Sequence, residues 1–359
     1  MAKQLNQYFK RKKNKIISIG WVISENFLSS KYYLLNRFKT NNVMRFNPSM
    51  WINENRSDFI SELYIPFKKY DIVVFLKIMS DRAIKEAKKI RSRGGLFVFD
   101  ANVNYYEVWG EYTIPGTKPT DKQKSQAEWM TENADYVVAD SSYLEKICRQ
   151  YNKNVIWIPD NINVTEQYTG SKTHSEKKPL TAIWSGIAKK AFHFELIENV
   201  LSDFAEELHM IIVTRETEKD RLPAVICRLK NKFSTEIRCW DSNRYPDDLL
   251  QSDFIISPKI LNNGYVLGHS EYKISLGMAQ RLPVIASRQP SYLDAVGDSS
   301  VGYICENENE WHRGLKEMLT SSPEKRQAMG DFARARVINN YALDVVSHKY
   351  LSVFNELIQ

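Results

Sequence analysis

No run of roughly eighteen apolar residues occurs anywhere in the chain, which excludes a helix able to cross a bilayer. The basic N-terminus has neither the apolar core nor the small-residue cleavage site of a secretory leader, so a cytoplasmic protein is expected. Cysteine is scarce: Cys148, Cys227, Cys239 and Cys305 form no Cys-x-x-Cys pair, which argues for reduced thiols and against a zinc site. No Gly-x-Gly-x-x-Gly follows the first apolar stretch, where the chain reads SENFLSSK, so a nicotinamide site is not expected. Asp-x-Asp is absent too, leaving no candidate for a Mn or Mg site of that kind, and no metal cofactor is expected. No histidine precedes His174; the others are His193, His209, His269, His312 and His348. A general base in the first half would therefore be a carboxylate, with Asp100 and Glu107 the candidates.

What is present is ample for folding. The 359 residues, 43% of them hydrophobic, can bury substantial cores, and the length favours two domains. A net charge of +7 favours acidic partners. Part of that excess sits in residues 1–15, a basic tail where Lys10, Arg11, Lys12, Lys13 and Lys15 follow Tyr8 and Phe9. Such a cluster could settle on an anionic membrane surface or stay solvated. No nucleic-acid motif accompanies it, so nucleic acid is not an expected partner.

From Ile16 apolar strands alternate with charged, helix-spaced segments, the pattern of a parallel sheet covered on both faces. Strands are predicted at 16–23, 43–46, 71–78, 95–102, 134–141 and 154–161, with helices at 29–39, 81–93, 121–131 and 142–151. Residues 16–165 thus read as one Rossmann-like domain. Residues 166–178 are polar and aperiodic and read as a linker. The alternation then restarts, with strands at 180–187, 209–215, 236–240, 254–260 and 301–307 and helices at 194–208 and 246–251, giving a second Rossmann-like domain over 179–340. Residues 341–359 close the chain with an amphipathic helix.

Within the second domain the stretch His269–Ser287, HSEYKISLGMAQRLPVIAS, combines a helix start with a buried strand. Ser270 is suited to cap a helix of about three turns whose apolar side is Ile274, Leu276, Met278 and Ala279. Pro283 ends it and opens the strand. A helix start exposes unpaired N–H groups and partial positive charge, which suits a phosphate, and Lys273 stands one turn in. This stretch resembles the donor-binding helix of GT-B glycosyltransferases, above all the family 4 group, whose pattern is Glu followed by Ala-Met-Ala-Ala-Gly-Leu-Pro-Val-Ile-Ala-Ser. Leu282–Ser287 matches closely and Gly277–Arg281 loosely. Both glutamates of the family's paired motif are missing: one falls on Leu276, the other on Gly268. Ile158-Pro159-Asp160-Asn161, where relatives have Ile-Pro-Asn-Gly, and the strand Asp253–Pro258 extend the resemblance.

The resemblance implies an α/β GT-B fold, two Rossmann-like domains facing each other across a cleft, with the last helix bracing the first domain. It implies a glycosyltransferase of cell-surface polysaccharide or glycoconjugate synthesis that moves a hexosyl or deoxyhexosyl group from a nucleotide-sugar donor to a saccharide or lipid-linked acceptor. A leaving diphosphate needs positive groups, and the donor-binding candidates are Gly186, Lys189, Lys190, Arg215, Lys259, Asn263, Gly264, Ser270, Tyr272, Lys273 and Leu276, with Asp100 and Glu271 as catalytic candidates. Glu271 lies about 140° around the helix from Leu276, so it does not replace the missing ribose ligand. An apolar Leu276 in that place suits a deoxyribose, hence a dTDP-sugar; the alternative is a shifted helix, with a group from the loop at 262–268 meeting an ordinary ribose. Loss of both glutamates also leaves open a catalytically weak GT-B module that binds a glycan or a partner glycosyltransferase.

Overall fold

The apolar runs become strands because both faces of each sheet are covered. A computed structural model describes residues 18–23, 56–61, 63–65, 70–215 and 221–358, and these fall into two units. The first comprises the described residues of Met1–Val108, Pro119–Asn161 and Leu343–Gln359, and the second Trp109–Lys118 and Ile162–Ala342.

In the first unit β1 (Ser18–Ile23), β2 (Arg56–Ser61), β3 (Ile72–Leu76), β4 (Leu96–Ala101), β5 (Tyr136–Ala139) and β6 (Val155–Trp157) form one parallel sheet in the order β2-β1-β3-β4-β5-β6. Alternate residues divide between its faces. Val73, Phe75, Phe97 and Phe99 pack against α1 (Asp81–Ser92), α2 (Asp121–Asn133) and α3 (Ser142–Cys148) through Ala87, Met130 and Ile147. Each of these helices starts where the sequence supplies a cap: Ser80 accepts from Ala83 N–H, Ser141 from Leu144 N–H, and Thr120 forms a reciprocal capping box with Gln123.

Ile72, Val74 and Val98 face the other way, onto Val346, Tyr350, Val353 and Phe354 of the C-terminal helix, Leu343–Ile358. That helix also packs edge-on against Trp21, whose ring centroid lies 5.3 Å from that of Tyr350. The Tyr350 hydroxyl donates to Asp100 Oδ2 over 2.5 Å, at the fully buried end of β4. The same helix brings His348, exposed on its outer side, into the first unit.

The second unit repeats the architecture with the doubly wound order. Its strands are β7 (Leu180–Ser185), β8 (Leu208–Thr214), β9 (Thr235–Cys239), β10 (Phe254–Ser257), β11 (Val284–Ser287) and β12 (Gly302–Cys305), arranged β12-β11-β10-β7-β8-β9 and all parallel. Its helices are α4 (Glu198–Asp203), α5 (Ala224–Lys232), α6 (Tyr245–Leu250), α7 (Gly264–Leu267), α8 (Tyr272–Ala279), α9 (Pro290–Val296), α10 (Glu308–Thr320) and α11 (Pro323–Asn340); the C-terminal helix is α12. Trp184, Met210, Ile212 and Phe254 face α4, α5 and α10, whereas Ile183, Ile211, Val213 and Ile255 face α6, α8, α9 and α11.

Several sequence expectations change. The strand predicted at 43–46 and the helix at 29–39 lie outside the described residues, as do residues 1–15; the strand beside β1 is β2, RSDFIS, whose polar composition hides it. Residues 194–208 are not one helix: a 3-10 segment runs Ala188–Leu196 and α4 spans only Glu198–Asp203. The helices α5 and α9 are additional.

Residues 166–178, predicted as a linker, are instead hydrogen-bonded along the second unit. Gly170 N–H donates to Gln280, Lys172 Nζ to the Leu250 carbonyl, and His174 Nε2 meets the Arg281 carbonyl at 3.1 Å. With Nε2 on a carbonyl, that nitrogen carries the proton. Burial pulls the His174 imidazole down to about 4, so it stays neutral at physiological pH.

Tyr350→Phe should remove the donor to Asp100 while keeping the ring contacts. We expect a loss of about 1–3 kcal/mol in the chemical denaturation of the first unit's sheet, followed through Trp21 fluorescence.

Candidate functional site

In a doubly wound sheet a crevice opens beyond the carboxyl ends of the strands where the order reverses. In the second unit these strands are β7 and β10, paired through Phe254 with Ala182 and Ile255 with Ile183. The chain beyond β7 carries Gly186, Lys189 and Lys190, that beyond β10 carries Lys259, and the start of α8 carries Lys273. Three ammonium groups converge here, those of Lys190, Lys259 and Lys273: Lys259 feels the charges of Lys273 and Lys190, and Lys273 feels that of Lys190.

Each ammonium is held by an aromatic ring. Lys190 Nζ lies 5.3 Å from the Tyr265 ring centroid, Lys259 Nζ 4.2 Å from that of Tyr292, and Lys273 Nζ 5.4 Å from that of Trp184. A ring face attracts a cation without neutralising it, so ammonium protons remain for an anion. Burial and the Lys190 charge bring Lys273 down to about 7, and burial with the Lys189 charge brings Lys190 down to about 8. Lys259 is pushed well below the ordinary lysine range by burial and then by Lys273 and Lys190, with Glu271 opposing.

Gly186 makes room for this arrangement. A Cβ there would stand 2.7 Å from Lys273 Nζ and 2.8 Å from the Trp184 ring.

Two histidines complete the cluster, and neither carries charge. His269 Nδ1 lies 2.5 Å from the Tyr265 carbonyl, which requires the proton on Nδ1; Nε2 then accepts from Lys190 Nζ at 2.9 Å. His193 Nδ1 accepts the Ile260 N–H at 3.2 Å, so its proton sits on Nε2. Burial first and then the surrounding lysines hold His193 down at about 3 and His269 well below its ordinary range. Gln289 fixes the far side, its Oε1 accepting from Lys259 Nζ while Nε2 donates to the His269 carbonyl.

The other sequence candidates distribute around this centre. Asn263 caps the four-residue α7, which begins at Gly264, and Glu271 is fully buried and close enough to raise the affinity of Lys259 for its proton. Ser270 does not cap α8: Glu271 occupies the N-cap, no side chain caps the helix there, and its eight residues make just over two turns. Tyr272 is the first helical residue and packs against the core, as does Leu276, which is 6% exposed. Lys189 is exposed and donates to the Pro115 carbonyl at 2.9 Å. Arg215 is exposed past β8, and Asp100 lies in the first unit.

The sequence reading missed His193, His269, Gln289 and the three rings. Only the position of His269, immediately before the predicted helix start, could have drawn attention to one of them. Among the described residues no group of three or more His, Cys, Asp or Glu side chains is placed to hold a metal ion.

No protein-family model matches the sequence, and no curated protein matches it. Solved structures do match the fold over nearly the whole chain. A glycosyltransferase from Rickettsia africae aligns with a TM-score of 0.68 at 17% identity, covering 96% of this chain and 99% of that one. Sucrose-phosphate synthase from Thermosynechococcus elongatus aligns at 0.67 and 11% identity, covering 95% and 99%. HepE from Anabaena, crystallised with UDP and glucose, aligns at 0.66 and 10% identity, covering 94% and 99%. The fold is α/β of the GT-B type. At these identities the likeness concerns fold, and the lysine cluster is this chain's own evidence for what it binds.

Anion binding should raise the proton affinity of the lysines. With Lys273 at about 7 and Lys190 at about 8 in the free protein, a nucleoside diphosphate bound at pH 8 should take up protons. Its affinity should fall as pH rises from 7 to 9, a range in which a phosphate with a second pKa of about 6 is already ionised. Calorimetric titration of UDP in two buffers of different ionisation enthalpy checks this, and equal heats in both would contradict it.

Proposed function

We propose that the chain is a glycosyltransferase: the second unit binds a nucleoside-diphosphate sugar, and the sugar passes to a saccharide or lipid-linked acceptor. The observation that carries this reading is the set of three ammonium groups, each on an aromatic ring, at the switch point of a GT-B sheet. Lys190, Lys259 and Lys273 stabilise the charge that develops on the diphosphate as the glycosidic bond breaks, which is work a divalent cation does in other architectures. A metal-independent, family 4-like enzyme of polysaccharide or glycoconjugate synthesis is consistent with this set, and the basic residues 1–15 would suit a peripheral attachment to anionic membrane. Asp100 and Glu271 stay candidate carboxylates for the acceptor and the diphosphate-sugar end respectively.

Lys273→Ala should weaken nucleoside-diphosphate binding by about 1–3 kcal/mol, the scale of a charge-assisted hydrogen bond, as measured by calorimetry; unchanged affinity would remove Lys273 from the site. A hydrolysis assay over a nucleotide-sugar panel tests the activity itself. Release of nucleoside diphosphate from one donor supports the enzyme. No release from any, together with retained glycan binding, supports a weak module acting as a binding subunit.

The nucleotide is a separate question. In the resemblance to family 4, Leu276 falls at the position of the ribose-binding carboxylate, which favours a deoxyribose and a dTDP-sugar; the UDP bound to HepE favours a ribonucleotide. Competition between dTDP and UDP decides. UDP binding tenfold tighter, about 1.4 kcal/mol, would overturn the dTDP assignment.

A further inference from the structure

The segment Trp109–Lys118 belongs to the second unit, although the chain before it and after it belongs to the first. It is fastened at four points. Gly110 bridges Asn263 in antiparallel fashion, Glu111 N–H donates to the Asn262 carbonyl at 3.1 Å, Asn263 Nδ2 donates to the Glu111 carbonyl at 2.6 Å, and Lys189 Nζ donates to the Pro115 carbonyl at 2.9 Å. The loops it fastens are the ones that carry the cation cluster. Lys189 adjoins Lys190, and Asn263 opens the short helix bearing Tyr265, which supports Lys190 with its ring and His269 with its carbonyl.

Asn263 is 3% exposed and uses both ends of its amide: Oδ1 accepts from Val266 N–H at 2.9 Å while Nδ2 grips the arm. Gly110 has φ +81°, and a Cβ on it would run into the Asn262 carbonyl, so only glycine seats the arm this closely.

We propose that Trp109–Lys118 is a latch that positions the diphosphate-binding loops, with Gly110 and Lys189 acting through it as positioning residues and not by touching the donor. This rests on the second unit binding a nucleoside diphosphate. It also separates Lys189, committed to the Pro115 carbonyl, from its neighbour Lys190, whose ammonium is in the cluster.

A double-mutant cycle on the full chain tests it, with UDP as probe. If Lys189 acts through the arm, Gly110→Ala and Lys189→Met should each weaken UDP by on the order of tenfold and together by no more than either alone, the non-additivity of groups in one device. Lys189→Arg, which keeps a donor for the carbonyl, should restore binding. Multiplying losses, near a hundredfold in the double variant, would make Lys189 a direct ligand and overturn the latch. Hydrogen exchange without nucleotide supplies the independent readout: the Val266 and Glu111 amides should lose protection in both single variants, and unchanged protection would also overturn it. If the unaltered protein binds no UDP or dTDP, the functional reading fails, and the exchange result alone then decides the latch.

Discussion

Three lysine ammonium groups crowded at the ends of β7 and β10 are the constraint on which the site depends. Like charges repel more strongly as water is excluded from around them. A folded protein tolerates such a cluster only if something holds each group in place. Here the holding groups are uncharged: the Tyr265, Tyr292 and Trp184 rings, the Gln289 amide and the neutral His269 imidazole. Carboxylate partners would have relieved the repulsion and also cancelled the field. Apart from Glu271, which acts on Lys259, the neutral partners leave the field largely uncancelled, and burial first, then neighbouring lysine charge, depresses the proton affinities of Lys190 and Lys273.

The histidines follow from the same constraint. A protonated imidazole beside three lysines would add to the repulsion, so His193 and His269 remain neutral and serve through their hydrogen-bond polarity. His269 receives from Lys190 and gives to the Tyr265 carbonyl, and its own carbonyl receives from Gln289 and Ser291. Aligned donors of this kind strengthen one another in a low-dielectric setting. They also fix the direction of the Lys190 ammonium, which on a flexible four-carbon stem would otherwise wander.

Much of the fold was legible because parallel strands covered on both faces must be apolar throughout, and IVVFL, LFVFDA and LHMIIVT announce themselves. β2 escaped because RSDFIS lacks that run, and the helix predicted at 194–208 overran the end of the 3-10 segment at Leu196 and the start of β8 at Leu208. Lys190 and Lys259 were legible by their positions after strands, a consequence of topology, and Lys273 by its place at a helix start. Their rings and histidines were not, since Trp184, Tyr265, Gln289 and Tyr292 come from three separate elements, β7, α7 and the start of α9, whose meeting no local pattern encodes. The segment 166–178 misled for a related reason: polar residues with no periodicity read as a linker, yet Lys172 and His174 are buried, with Lys172 Nζ and His174 Nε2 bonded to backbone carbonyls of the second unit.

The two sheets, each taken alone, carry side chains of opposite character near the carboxyl ends of some of their strands. The first unit sets Asp100 at the end of β4 and, beyond β4, β5 and β6, Asn102, Asp140, Asp160 and Asn161, all buried, with Glu107, whose Oε2 receives from Asn104 and Tyr143. Beyond β7 and β10 the second unit sets Lys190, Lys259 and Lys273. Carboxylates and amides suit hydroxyl groups, which donate to them, and repel phosphate; ammonium groups do the reverse. The net charge of +7 therefore says little about either site. Its meaning lies in the separation, because one parallel-sheet scaffold used twice can hold ammonium groups in one unit and carboxylates and amides in the other with only the residues around the strand ends exchanged.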